Sequence, residues 1–155
     1  MAERRYAEAE PHLREAIRLA ADRAEYHNNL ANVLLKTGRI ESAAAEAATA
    51  LRLGPDDLSA NETMGQVLFR HADYHGALDH FSRAVTLGAE KAPVAAALND
   101  MGASVASRGN PRDAEPLLRK ALELNPSLPE ARRNLALVQE DESRIMPAKT
   151  SLPAQ

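Results

Sequence analysis

The sequence predicts an all-α protein, a right-handed α-solenoid of helix-turn-helix repeats. Three observations carry that expectation. Alanine and leucine dominate the apolar residues, tryptophan is absent and aromatic residues make up only 3%, a balance that favours helix over sheet. The chain resembles itself at a spacing of 34 residues. Its glycines and prolines are few and fall at regular places.

The period is read from matched positions. Ala43 recurs as Ala77 at +34 and as Ala9 at −34. Ala50 recurs as Ala84 and Ala16, and Leu53 as Leu87 and Leu19. Leu30-Ala31 returns as Met64-Gly65, and Ile40 as Tyr74 and Tyr6. After Leu87 the spacing grows to 37, giving Met101-Gly102, Ala114, Ala121 and Leu124, then returns to 34 at Leu135-Ala136.

Each unit reads as two amphipathic helices. Residues 5–23 form a half-repeat that matches only a second helix, through Tyr6, Ala9, Leu13, Ala16 and Leu19. In the repeat 24–57, Tyr26, Leu30, Val33, Leu34 and Thr37 fall at helical spacing. Gly38 should break that helix. Ile40, Ala43, Ala44, Ala47, Ala50 and Leu51 make the next, which Gly54-Pro55 should stop with a residue that tolerates left-handed backbone followed by one lacking an amide donor. The pattern returns in 58–91 and in 92–128, where three extra residues lie before Met101. Pro93 there reads as a first helical residue, so this helix should start almost one turn early. Ser127-Leu128-Pro129-Glu130 reads as a capping box opening a last, polar helix over 129–145. The repeat array thus spans residues 4–145, and 146–155 reads as a disordered tail.

The small residues have a packing reason. Ala43, Ala77 and Ala114 lie where two helices of a hairpin should cross closely, with Ala31, Gly65 and Gly102 facing them. Leu30, Leu34, Leu68, Phe81 and Leu118 should fill the space between neighbouring hairpins.

These residues resemble the tetratricopeptide repeat family. The first full unit shows Leu30-Ala31, Leu34, Gly38, Ile40, Ala43, Ala50 and Pro55. The second shows Met64-Gly65, Leu68, Tyr74, Ala77, Phe81 and Ala84, and the third Met101-Gly102, Gly109, Ala114, Leu118, Ala121 and Pro126. Ala72 replaces a glycine, Ala89 replaces a proline, and the large aromatic near each start is missing. The resemblance implies a recognition surface on the concave side, lined by the first helices.

Composition narrows the functions. The net charge is −3 with both signs interspersed, so no basic block exists to neutralise phosphates and nucleic acid is not expected as a partner. No cysteine is present, which removes disulfides, thiolate zinc sites, a cysteine nucleophile and a lipoprotein anchor. No stretch reaches the roughly 20 apolar residues of a membrane span, and the charged N-terminus is unlike a signal peptide, so the expected location is the cytoplasm. No phosphate loop, dinucleotide fingerprint or nucleophile elbow occurs, and no enzyme activity or cofactor is expected. His71, Asp73, His75, Asp79 and His80 are the one cluster with metal-ligand chemistry, and they read as solvated turn residues.

The expected partner is a protein or peptide. The register assigns to the concave face Asn28, Asn29, Asn32, Leu35 and Lys36 from the first unit, and Glu62, Thr63, Gln66, Phe69 and Arg70 from the second. Asn99 and Asp100 follow from the third, and Arg133 and Asn134 from the last helix. Asn28 and Asn32 are four apart and share a helical face, and an asparagine amide can pair with a peptide backbone through both donor and acceptor. The set is similar to the asparagine ladder of O-linked N-acetylglucosamine transferases at Asn29 and Asn134, with Thr63 and Asp100 breaking it. It departs from the carboxylate clamp of chaperone-binding members, because Ala96 and Asp100 stand where cations would. The reading is a non-catalytic scaffold that holds a peptide or extended segment in the concave groove. The alternatives are a homodimer or assembly formed through the N-terminal helix, and a regulatory segment of a larger enzyme such as a glycosyltransferase.

Overall fold

A computed structural model describes residues 2–145, with side-chain environments for residues 5–140. All regular structure among the described residues is helical, in eight helices, as the composition and the period predict. The chain divides into two compact units, Met1–Ala89 and Glu90–Gln155.

The first unit holds α1 (Ala2–Leu19), α2 (Ala24–Lys36), α3 (Ile40–Leu53), α4 (Leu58–Arg70) and α5 (Tyr74–Thr86). Here α2 and α3 form one hairpin, and α4 and α5 the next. Helix α2 also packs on α1 and on α4. The second unit holds α6 (Lys91–Ser107), α7 (Pro111–Leu124) and α8 (Pro129–Ile145), with α6 and α7 paired and α8 lying against both. The expected tail, 146–155, lies outside the described residues.

Three hairpin turns share one geometry. The mid-turn residue is left-handed: Gly38 at φ 77°, Ala72 at 61° and Gly109 at 83°. The following amide reaches back to the helix, Arg39 N to Leu34 O at 2.9 Å and Asp73 N to Leu68 O at 3.0 Å, closing a Schellman motif. Ala72 therefore holds a conformation that costs an L-residue about 1–2 kcal/mol.

Several local expectations are corrected. Gly54 is not left-handed: its φ is −141°, and Asn125 at the matching place is at −137°. These helices end in extended backbone, and Pro55 and Pro126 then prevent continuation. The capping box at Ser127 does not form: α8 begins at Pro129, Leu128 O accepts from Arg132 N, and the Ser127 hydroxyl donates to Asn125 Oδ1 at 2.9 Å. Side-chain caps occur instead at Asp57, which accepts from Ala60 N, and Asp73, which accepts from Gly76 N. Helix α6 does start early, but at Lys91, so Pro93 is its third residue. Helix α1 starts at Ala2, ahead of the expected residue 5.

The cores follow the register. Ala43, Ala77 and Ala114 are fully buried. The glycines, however, make room for bulk rather than for the alanines. A Cβ on Gly65 would lie 3.0 Å from the Phe81 ring, and one on Gly102 would lie 2.7 Å from Leu118 Cγ. In the first hairpin the same two positions are Ala31 and Ala47, both completely buried. A large residue on the second helix thus meets glycine, and a small one meets alanine.

Candidate functional site

The candidate residues of the first unit lie on α2 and α4, which pack side by side. Asn32 ties them together. Its Nδ2 donates to Thr63 Oγ1 at 3.0 Å and to the carbonyl of Asn28 at 3.2 Å. Thr63 in turn donates to Ser59 O at 2.9 Å. Thr63 is therefore a buried packing residue and not part of an open face. Leu35 is likewise buried, in a cluster with Leu30, Leu34, Ala43 and Val67. Asn28, expected to be solvated, is only 6% exposed. The register had the helix right, but three of the residues it pointed outward are buried.

What remains accessible forms a mixed surface. Asn29, Lys36 and Arg70 are exposed, while Asn32, Glu62, Gln66 and Phe69 are half-buried. The Phe69 ring sits 5.7 Å from that of Tyr74 in a tilted contact. Burial pushes the Glu62 carboxyl above its usual range, because no cation compensates its lost hydration.

Asn28 differs from every other polar group at this face. Its Oδ1 is buried and has no hydrogen-bond partner. Leaving such an acceptor unmade costs about 1–3 kcal/mol, so the site carries an unmet demand for a donor.

In the second unit, Asp100 and Arg133 are exposed, and Asn99 is buried against expectation. Asn134 Nδ2 donates to Asn99 Oδ1 at 2.9 Å, and Asn99 Nδ2 donates to Asp100 Oδ1 at 3.3 Å. These asparagines spend hydrogen-bonding capacity on each other and join α8 to α6.

One recurring pair escaped the sequence reading. His27 Nδ1 lies 2.7 Å from Glu46 Oε2, and its Nε2 lies 3.1 Å from Ala21 O. One period later His80 Nδ1 lies 3.0 Å from Asn61 Oδ1. In the third hairpin the same two positions are Leu98 and Leu117, both fully buried. His80 is thus no solvated turn residue: it is half-buried, and burial lowers its pKa against the opposing pull of Asp79 and Asp73. The 34-residue offset between the two pairs was the available signal. Among the described residues, no group of three or more His, Cys, Asp or Glu side chains converges as a metal site, and no helix is long and apolar enough to cross a membrane.

At the N-terminal side, α1 and α2 bound an open groove of about 750 Å³, lined by Arg5, Tyr6, Ala9, His12, Leu13, Asn29 and Val33. Glu10, on another side of α1, pairs with Arg39 at the start of α3, Arg39 Nη1 donating to Oε1 at 2.9 Å. That guanidinium, helped by Arg14, holds the Glu10 pKa at about 2.

Two models described as tetratricopeptide repeat match the sequence, over residues 1–66 and 56–127. No curated protein matches it significantly. Among solved structures the chain is similar to YrrB, described as a TPR protein with an unusual peptide-binding site, at 27% identity and TM-score 0.58, over 86% of this chain and 67% of that one. It is similar in fold to MamA, at 19% identity and TM-score 0.68, over 89% of this chain and 79% of that one. It is also similar in fold to a repeat protein from Parabacteroides merdae, at 20% identity and TM-score 0.64, over 90% of this chain and 54% of that one.

Proposed function

Because the chain belongs to the tetratricopeptide repeat family, we propose that it is a non-catalytic interaction module that holds an extended peptide segment against α2 and α4, with Asn28 as the anchor. The carrying observation is the unpartnered Oδ1 of Asn28, on a residue that keeps 6% exposure and whose side chain turns outward to meet the ligand. A peptide N–H is the donor that meets this demand without requiring a particular side chain. Asn32 is fixed by Thr63 and keeps the neighbouring backbone in place. Gln66 and Phe69 offer an amide and an aromatic surface beside it, and Lys36 and Arg70 stand at the C-terminal ends of the two helices. The half-buried Glu62 favours a cationic or N–H-rich stretch of the ligand. The likeness to YrrB, a peptide-binding member of the family, supports the same reading.

The test separates stability from binding. Asn28→Leu removes the unmet acceptor, so the free protein should gain about 1 kcal/mol of stability. Peptides selected from a random display library on the wild-type protein should lose binding to this variant by tenfold or more, about 1.4 kcal/mol. Selected peptides that bind Asn28→Leu as well as wild type would remove Asn28, and this face, from the recognition.

A further inference from the structure

We infer that the peptide held against α2 and α4 presents an arginine, and that its guanidinium is gripped between the Glu62 carboxylate and the Asn28 amide oxygen. The inference rests on the function proposed for that face and names the side chain the face selects. Asn28 and Glu62 occupy the same position of consecutive repeats, 34 residues apart, on helices that pack side by side. The bond from Asn32 Nδ2 to Thr63 Oγ1, at 3.0 Å, joins the residue one turn after Asn28 to the residue next to Glu62. Side chains of α2 therefore reach α4 at this level.

Both side chains are acceptors without a donor. Asn28 Oδ1 has no hydrogen-bond partner, so it breaks no bond when it turns outward. Glu62 is half-buried, and among the described residues no hydrogen bond or cation reaches its carboxylate, whose pKa is raised by lost hydration alone. The demand is confined to the first unit. In the second unit the matching positions are Asn99 and Arg133. Asn99 Oδ1 already accepts from Asn134 Nδ2 at 2.9 Å, and Arg133 is itself a cation.

A cation with several N–H groups meets both acceptors at once. A backbone N–H can bond Asn28, but it leaves the carboxylate without a counter-charge. A lysine ammonium is compact and strongly hydrated, and it gives up that hydration at a half-buried site. Arginine is more weakly hydrated and holds its N–H donors in a rigid plane, enough to pair with a carboxylate and still bond an amide oxygen. The rest of the face limits the ligand to one such residue. Helices α2 and α4 end in the exposed Lys36 and Arg70, about 12 Å beyond Asn28 and Glu62. A run of basic residues lying along the helices would be repelled there.

The probes are peptides selected from a random display library on the intact wild-type chain. Those whose binding falls roughly tenfold or more on Asn28→Leu should share one arginine. Resynthesised with citrulline, which keeps the shape of that side chain without its charge, they should bind wild type roughly tenfold or more weakly. Glu62→Gln should bind the arginine and citrulline forms alike. It should melt no lower than wild type, since it removes an unpaired, half-buried charge. Peptides that need Asn28 but share no arginine, or that bind equally well with citrulline, would overturn the inference and leave the α2–α4 face as the binding site. A citrulline penalty that persists undiminished in Glu62→Gln would overturn it by placing the charge contact elsewhere. So would selected basic runs indifferent to Glu62→Gln. Selections that return no peptide, or only peptides indifferent to Asn28→Leu, would overturn it together with the function proposed for this face.

Discussion

The left-handed Ala72 offers a measurement in which the backbone cost can be worked from the structure. Its φ is 61°, and the equivalent turns place Gly38 and Gly109 at 77° and 83°. An L-residue pays about 1–2 kcal/mol in this region, whereas glycine loses about 0.5–1 kcal/mol more conformational freedom on folding. Ala72→Gly should therefore stabilise the first unit by about 0.5–1 kcal/mol. Gly38→Ala should destabilise it by a similar amount. No atom lies within 4 Å of a Cβ at Gly38, so the loss there is purely local to the backbone. The assay is urea unfolding followed by helical ellipticity, with the slope compared between variants so that a change in midpoint reports stability alone. Ala48→Gly, on the exposed face inside α3, is the control and should cost about 1 kcal/mol. If Ala72→Gly destabilises as much as that control, the turn does not hold the left-handed geometry and the reasoning fails.

Other outcomes follow from the same contacts. Glu10→Gln should cost about 1 kcal/mol at pH 7, a figure kept small because Arg39 is 44% exposed and water screens the pair. Since the folded pKa is depressed to about 2, that contribution is fully present above the unfolded value near 4.5 and fades as pH falls toward 2, so wild type and variant should converge in acid melts. His80 has a lowered pKa, so the unfolded chain takes up its proton first; stability should fall as pH drops through about 6.5, and His80→Asn should flatten that slope in calorimetry. Gly102→Ala should cost about 1–3 kcal/mol in denaturant unfolding, and that cost should shrink in a Leu118→Ala background, because the clash is with Leu118 Cγ and Cδ2. Additive losses in that pair would contradict the size-matching seen in the three hairpins.

The period and the hairpins were legible in the amino-acid sequence because helical spacing and one 34-residue offset carry them, while the partners of the small residues were not, since Gly65 and Gly102 face Phe81 and Leu118. Alanine and leucine at helical spacing select amphipathic helices, and a fixed offset stacks them in one register. Helix existence was readable at every unit, while the ends shifted: Gly54 ends α3 without left-handed backbone, and Ser127 bonds Asn125 instead of capping α8. The candidate face was less legible. The register located Asn28, Asn32 and Thr63 on first helices, but only the neighbouring hairpin determines that Thr63 is buried beneath an Asn32 bond and that the Asn28 acceptor has no partner. The 34-residue offset from Glu46 set His80 apart from the exposed His71 and His75 beside it, but only the packing shows its bond to Asn61. Sequence spacing determines which side of a helix a residue occupies. Whether that side meets water, a methyl group or a hydrogen-bond partner is decided by packing between helices tens of residues apart, and there the tertiary structure alone gave the answer.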